Sequence, residues 1–199
     1  MTDGPNIAVY SGSFNPLHIG HLAIIRYMVE VAGFDMVYLI VSPKNPLKDS
    51  ISSDSGIDRY NAAVRAVNRH FGPHAATATS AMPKVQVDDI ELNMPEPHYT
   101  IKTLDALRER EPGKNFTLIM GADNLADIRR WKDHSRILAE YGAAVYPREG
   151  FDLKTIRQDL LNEDPAYNIQ IINAPMVNIS STEIRKALSE GKDVSHLLM

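Results

Sequence analysis

Short, nearly continuous apolar runs recur along this chain, at residues 7–10, 36–41, 116–120, 143–146 and 169–172, and they alternate with segments of helical apolar spacing. A strand solvated on one face alternates apolar with polar residues, whereas a strand that is apolar throughout is covered on both faces. Such strands, separated by segments long enough to cross over, build a parallel sheet. The chain is therefore expected to be an α/β protein, a doubly wound, Rossmann-like parallel sheet with helices on both faces. In that architecture ligands bind beyond the carboxyl ends of the strands, where the strand order reverses. The loops after Tyr10, Val41, Met120, Tyr146 and Ile172 are where chemistry is to be sought.

Between the strands, Leu22, Ile25, Val29 and Ala32 have helical spacing, with Gly33 as the stop. Residues 57–71 fit a helix, and Thr100 is expected to cap another that carries Ile101, Leu104 and Leu107 and ends before Pro112. Short helical pieces flank Trp131 and end near Tyr141; further helices are expected over 153–161 and from Ser181 to about Glu190, stopped at Gly191. Residues 85–92 read as one strand or two. Residues 44–56 have prolines and serines and no period, which predicts a long loop, and 72–84 read as linker.

A chain of 199 residues can bury roughly 70% of its unfolded surface and needs no covalent staples. A single domain over 1–199 is expected, with 174–199 as a C-terminal helical segment. The absence of cysteine removes thiolate nucleophiles, disulfides and Cys-ligated metals. With 21 Lys and Arg against 25 Asp and Glu, the net charge of −4 argues against a general nucleic-acid binder but not against one local polyanion site. No stretch approaches a membrane span, and the first residues lack a basic segment followed by an apolar core, so a soluble, cytoplasmic chain is expected. A homo-oligomer is compatible with all of this.

Two constellations carry chemistry. The first, Gly12-Ser13-Phe14-Asn15-Pro16-Leu17-His18-Ile19-Gly20-His21, leaves the first strand through a glycine and enters a helix. It is neither a GxGxxG fingerprint nor a P-loop, yet backbone N–H groups at a helix start form an anion site. His18 and His21 are placed to face that site, with Gly20 permitting close approach. Exposed or capping histidines are the plainer alternative. A metal pair is the weakest, because no third ligand is in the motif.

The second constellation is Ile179-Ser180-Ser181-Thr182-Glu183-Ile184-Arg185-Lys186. Ser180 and Glu183 fit a capping box, which accounts for those two residues only. Ser181, Thr182, Arg185 and Lys186 add hydroxyls and positive charge around a helix N-terminus, a set suited to a triphosphate.

These two motifs, one near each end, resemble the nucleotidyltransferase superfamily of HxGH and ISSTxxR enzymes. Three further segments are similar to its nicotinate-nucleotide adenylyltransferase family: residues 98–104, Gly121-Ala122-Asp123-Asn124 followed by Trp131-Lys132, and residues 147–150. Ser11, Asn15, Lys102 and Glu149 depart from that family's usual residues. The resemblance implies transfer of AMP from ATP to nicotinate mononucleotide with release of pyrophosphate, and Mg²⁺ carried on the triphosphate rather than in a protein cage. It implies catalytic roles for His18, His21 and Arg185. Nucleotide contacts would come from Gly12, Ser13, Phe14, Gly121, Asp123, Ser180, Ser181 and Thr182. Asp123 reads equally well as a ribose acceptor or as the N-cap of the helix after it. Trp131, by default a core residue, would stack on the pyridine, with Thr100 reading its carboxylate through the backbone. Lys48 and Arg148 are candidates for the mononucleotide phosphate, although either alone reads as surface charge. Another acceptor, nicotinamide mononucleotide or phosphopantetheine, and a nucleotide sensor without turnover remain as alternatives.

Overall fold

The structure, a computed structural model, describes residues 3–43, 55–72, 84–175 and 179–199. Six parallel strands form one sheet in the order β3-β2-β1-β4-β5-β6, namely β1 (Asn6–Gly12), β2 (Met36–Val41), β3 (Val85–Asp88), β4 (Asn115–Gly121), β5 (Ala143–Tyr146) and β6 (Ile169–Ile171). The expected apolar runs are these strands. Along β1, Ile7 and Val9 enter one core cluster, while Ala8 and Tyr10 enter another on the opposite face. Both faces are buried, so no position on the strand favours a polar residue.

One face is covered by α1 (Ile19–Glu30) and α2 (Gly56–Phe71), through Leu22, Ile25, Met28, Ala63 and Val67. The other is covered by α3 (Thr100–Arg110), α4 (Ala122–Ala126) and, beyond the short α5 (His134–Arg136), by α6 (Leu153–Glu163). Leu104 and Leu107 of α3 are fully buried there, and truncating either to alanine costs about 2–5 kcal/mol. α1 stops at Glu30, and Gly33 at φ +78° supplies the turn that an L side chain resists. A last helix, α7 (Ser181–Ser189), ends before Gly191 at φ +72°.

Some expectations change. Residues 85–92 are not strand throughout: β3 ends at Asp88, whose carboxylate accepts from the Ile90 N–H at 3.0 Å and starts a 3₁₀ turn, Ile90–Asn93. That local bond competes with the sheet ladder, as Asp side chains commonly do. Thr100 is not a cap but the first residue of α3; the N-cap position is Tyr99, and no side chain caps it. The loop expected at 44–56 yields Ser55 and Gly56 to α2, with the Ser55 hydroxyl accepting from the Asp58 N–H at 3.1 Å. Residues 44–54 of that loop, Lys48 among them, and residues 73–83 of the linker lie outside the described residues. Among the described residues no helix is long and apolar enough to cross a membrane.

β1 and β4 are neighbours whose crossovers run in opposite directions, so their carboxyl ends, at Gly12 and Gly121, diverge and leave a crevice. The tail reaches the same place: Leu198 pairs with His18 in an antiparallel bridge and Met199 N–H donates to the Leu17 carbonyl at 3.3 Å.

Candidate active site

The turn out of β1 is compact because two glycines let side chains fold against the backbone. Phe14, at φ +44°, lays its ring on Gly12, where a Cβ would come within 3.1 Å of it. The same ring meets Tyr10 and His21 edge-on, at centroid distances of 5.3 and 5.2 Å. A non-glycine residue in the left-handed region is costly and persists only where packing holds it.

His18 is the N-cap of α1, a position where its ring accepts one of the orphan N–H groups of the helix. Its Nδ1 accepts from the Gly20 N–H at 3.2 Å, and the Nδ1 of His21 accepts from the His18 N–H at 3.2 Å. The two rings lie 3.8 Å apart. With both Nδ1 atoms serving as acceptors, a neutral ring must carry its proton on Nε2, which is then a donor. Charge is resisted as well. Burial, with a smaller push from Arg148, lowers the His18 pKa to about 4; burial, followed by the charges of His18 and Arg148, holds His21 well below its ordinary range. Gly20 is required here because a Cβ would sit 3.0 Å from the His18 ring and 3.2 Å from Ile179 Cγ2.

The second motif closes on the first. Ser180 caps α7 in a reciprocal box with Glu183: the Ser180 N–H donates to Glu183 at 2.8 Å and the Glu183 N–H donates to Ser180 Oγ at 3.2 Å. Ser181 Oγ donates to the Pro16 carbonyl at 3.0 Å. Arg185 donates to the Asn15 carbonyl at 2.7 Å and to Thr182 Oγ1 at 3.0 Å. Two helix N-termini, remote in sequence, therefore face one region with His18, His21, Thr182 and Arg185 around it.

The far wall comes from the ends of β4 and β5. Arg148 is half-buried over the Tyr146 ring, 5.1 Å from its centroid, and its Nε lies 3.7 Å from Asp123 Oδ1. That separation is an ion pair without a hydrogen bond, and both atoms are buried with no hydrogen-bond partner among the described residues. Asp123 is not an N-cap. Gly121 holds that position, and a Cβ there would strike Asp123 Oδ1 at 2.3 Å. Tyr10 and Tyr146, legible in the sequence only as strand ends, bring their hydroxyls to 3.4 Å, and Arg148 Nη2 donates to the Tyr146 hydroxyl at 3.4 Å. Arg148, read from sequence as a surface charge as readily as a ligand, is thus part of the same crevice as the histidines.

Trp131 follows a 3₁₀ turn, Ile128–Arg130, and is partly buried against the core cluster that also receives Tyr99, the neighbour of Thr100. It is neither fully core nor fully exposed. Arg59 and Glu91, both buried, belong to no recognisable motif; for Arg59 the spacing with Ala63, Ala66 and Val67 on one face of α2 is the signal that could have found it. Among the described residues no three His, Asp or Glu side chains converge as a metal cage.

A family model described as cytidylyltransferase-like matches residues 9–187. Proteins described as probable nicotinate-nucleotide adenylyltransferases are 40% identical over 192 residues in Flavobacterium psychrophilum and 37% identical over 190 residues in Bacteroides fragilis. The alignments cover 96% of this chain in both cases, and 91% and 85% of those relatives. The chain belongs to the cytidylyltransferase-like family, among its nicotinate-nucleotide adenylyltransferases. It is a nucleotidyltransferase. Its fold is shared with the Plasmodium falciparum nicotinic acid mononucleotide adenylyltransferase solved in complex with NaAD, at a TM-score of 0.75 and 21% identity, over 96% of this chain and 87% of that one. The positions that depart from that family lie as follows. Ser11 Oγ lies 3.5 Å from Glu91, the Asn15 carbonyl accepts from Arg185, Lys102 sits 5.6 Å over the Tyr99 ring, and Glu149 is exposed.

Proposed function

We propose that this chain, acting as one cytoplasmic nucleotidyltransferase domain, joins ATP and nicotinate mononucleotide to give deamido-NAD and pyrophosphate, a step of NAD biosynthesis. One observation carries the reading. Two neutral histidines, each with Nε2–H as its only donor, stand beside the N-terminus of α7 and its Arg185, an arrangement of donors for a polyphosphate and not of ligands for a cation. Relatives at 40% and 37% identity, named for nicotinate nucleotide, favour that acceptor over nicotinamide mononucleotide or phosphopantetheine.

The mononucleotide phosphate is already an anion near neutral pH, so an oxygen of it attacks the α-phosphorus of ATP without a base. The bond from the α-phosphorus to the bridging oxygen breaks, and its electron pair leaves on pyrophosphate. What the protein supplies is alignment and charge neutralisation. His21 Nε2–H stabilises the α-phosphoryl oxygens and His18 orients the chain. Backbone groups of Gly12, Ser13 and Phe14, with Gly121 and Asp123, hold the nucleoside end. Arg185, with Ser180, Ser181 and Thr182 at the α7 N-terminus, holds the departing β- and γ-phosphates. Arg148 and Lys48 receive the mononucleotide phosphate, Trp131 stacks on the pyridine, and Thr100 reads its carboxylate through the backbone. Mg²⁺ enters as the counter-ion of ATP. Apart from Asp123 the side chains around the site are cationic, imidazole or hydroxylic and do not make a cation cage, so the ion would be held by the phosphate oxygens and water.

The test is pyrophosphate release with ATP, Mg²⁺ and one acceptor at a time. Nicotinate mononucleotide is expected to support turnover best, with deamido-NAD as the nucleotide product. No pyrophosphate with any acceptor would leave only a nucleotide sensor.

A further inference from the structure

Arg59 is nearly inaccessible, at 5% exposure, in the first turn of α2, beside the loop that follows β1. Its guanidinium donates from Nη1 to the Ser13 carbonyl at 2.6 Å and to the Ser42 carbonyl at 2.8 Å, and from Nη2 to the Pro43 carbonyl at 2.8 Å. Ser13 belongs to the loop after β1, and Ser42 and Pro43 begin the loop after β2. One buried cation therefore ties together the exits of two adjacent strands. Burial of a charge is costly unless strong hydrogen bonds compensate it, so its place here is set by what it holds.

We propose that Arg59 is a positioning residue for the transfer reaction, fixing the peptide planes of the loop after β1 so that its N–H groups face the phosphates. The proposal rests on the adenylyl-transfer reading given above. In a trans peptide the carbonyl and the following N–H point in opposite directions. Drawing the Ser13 carbonyl back onto Arg59 turns the Phe14 N–H the other way, out of the α2 side of the loop. It also removes the carbonyl oxygen, the end of the peptide dipole that repels phosphate. Phe14 is the residue at φ +44°, a conformation that surrounding structure must enforce. Its ring in turn packs on His21, so a loosened Ser13–Phe14 peptide moves both a backbone donor and the ring that seats the histidine. Three carbonyls shared between two guanidinium nitrogens suit the rigid fork; an ammonium is a point charge that does not reproduce that spread.

Arg59→Lys and Arg59→Ala test this. A misplacement on the order of 1 Å can cost about 100-fold in rate, so Arg59→Lys is expected to lose about 10- to 100-fold in kcat and about 10-fold in affinity for a non-hydrolysable ATP analogue measured by calorimetry without acceptor, while unfolding cooperatively. Added guanidinium ion at millimolar concentration is expected to restore Arg59→Ala at least several-fold, and methylammonium is not, since only the fork reproduces the geometry. Analogue affinity and kcat within twofold of the parent chain in Arg59→Lys would overturn the proposal, as would equal rescue by methylammonium. Failure of both variants to fold would also overturn it, by making Arg59 a prop of the fold. Absence of pyrophosphate release by the parent chain would instead count against the adenylyl-transfer reading, because analogue affinity is read independently of turnover.

Discussion

The two helix N-termini that meet at the crevice are built in opposite ways. At α1 the cap is a buried histidine, a second histidine closes the box, and burial strips both rings of charge. At α7 the cap is a serine closed by Glu183, with the exposed charge of Arg185 one turn away. Glu183 is held as an anion, first by the Ser180 hydroxyl and then by its backbone N–H. Capping alone would be served by either design. In the proposed reaction the dry end would offer directed, neutral donors to an α-phosphoryl group whose charge develops only in the transition state, and the wet end an exposed cation to a leaving group that must depart into water. On that proposal the two ends would divide chemistry from release.

The sharpest way to break that division is His21→Ala. It is expected to lower kcat by about 100-fold or more through lost transition-state stabilisation, with the fold retained by circular dichroism; an unchanged kcat would misassign the dry end. Arg185→Ala should lower kcat/KM for ATP by about 10- to 50-fold and flatten its dependence on salt, because an exposed guanidinium acts through screened charge. Were the salt dependence of the variant to match that of the parent chain, the wet end would not carry the charge. Trp131→Ala is expected to raise KM for nicotinate mononucleotide about 10-fold with KM for ATP unchanged, as loss of one stacking contact implies, and an unchanged KM would return Trp131 to the core.

The remaining two concern stability. His18 titrates near 4 when folded and near 6.5 when unfolded, so between those values the unfolded chain binds the extra proton. Stability is then full above about pH 6.5 and falls as pH drops toward 4, by up to about 1.4 kcal/mol per pH unit. Melting followed from pH 7 to 5 should show that slope, and His18→Asn, which keeps a capping acceptor, should reduce it. Smallest of all, Ser180→Ala should cost about 1 kcal/mol in unfolding, read from chemical denaturation, with no dependence on pH in the same window.

The parallel sheet was legible because burial on both faces leaves apolar runs that no other arrangement explains, and β2 and β5 fall where those runs lie. The long motifs were legible because their glycines and polar residues interrupt apolar periodicity without belonging to turns alone. What could not be read was direction. Arg148 and Asp123 sit in unremarkable loop positions, yet the ends of β4 and β5 bring them to 3.7 Å with buried, unsatisfied atoms. Asp88 ended its strand early through one side-chain bond that competes with a ladder of comparable strength. Arg59 shares the α2 face of Ala63, Ala66 and Val67, so helical spacing alone could mark it as buried, but the partners of its guanidinium depend on two loops folding over it.

By itself, then, the sequence determined the layers, the two anion-seeking helix starts and the kind of ligand they suit, because periodicity and capping are local properties that a few neighbouring residues fix. Only the tertiary structure decided which nitrogen of each histidine is free to donate, which arginine faces the crevice and which one holds the loop from behind. Those choices depend on burial and on carbonyls and rings contributed from up to 170 residues away in the chain, and no local pattern encodes them.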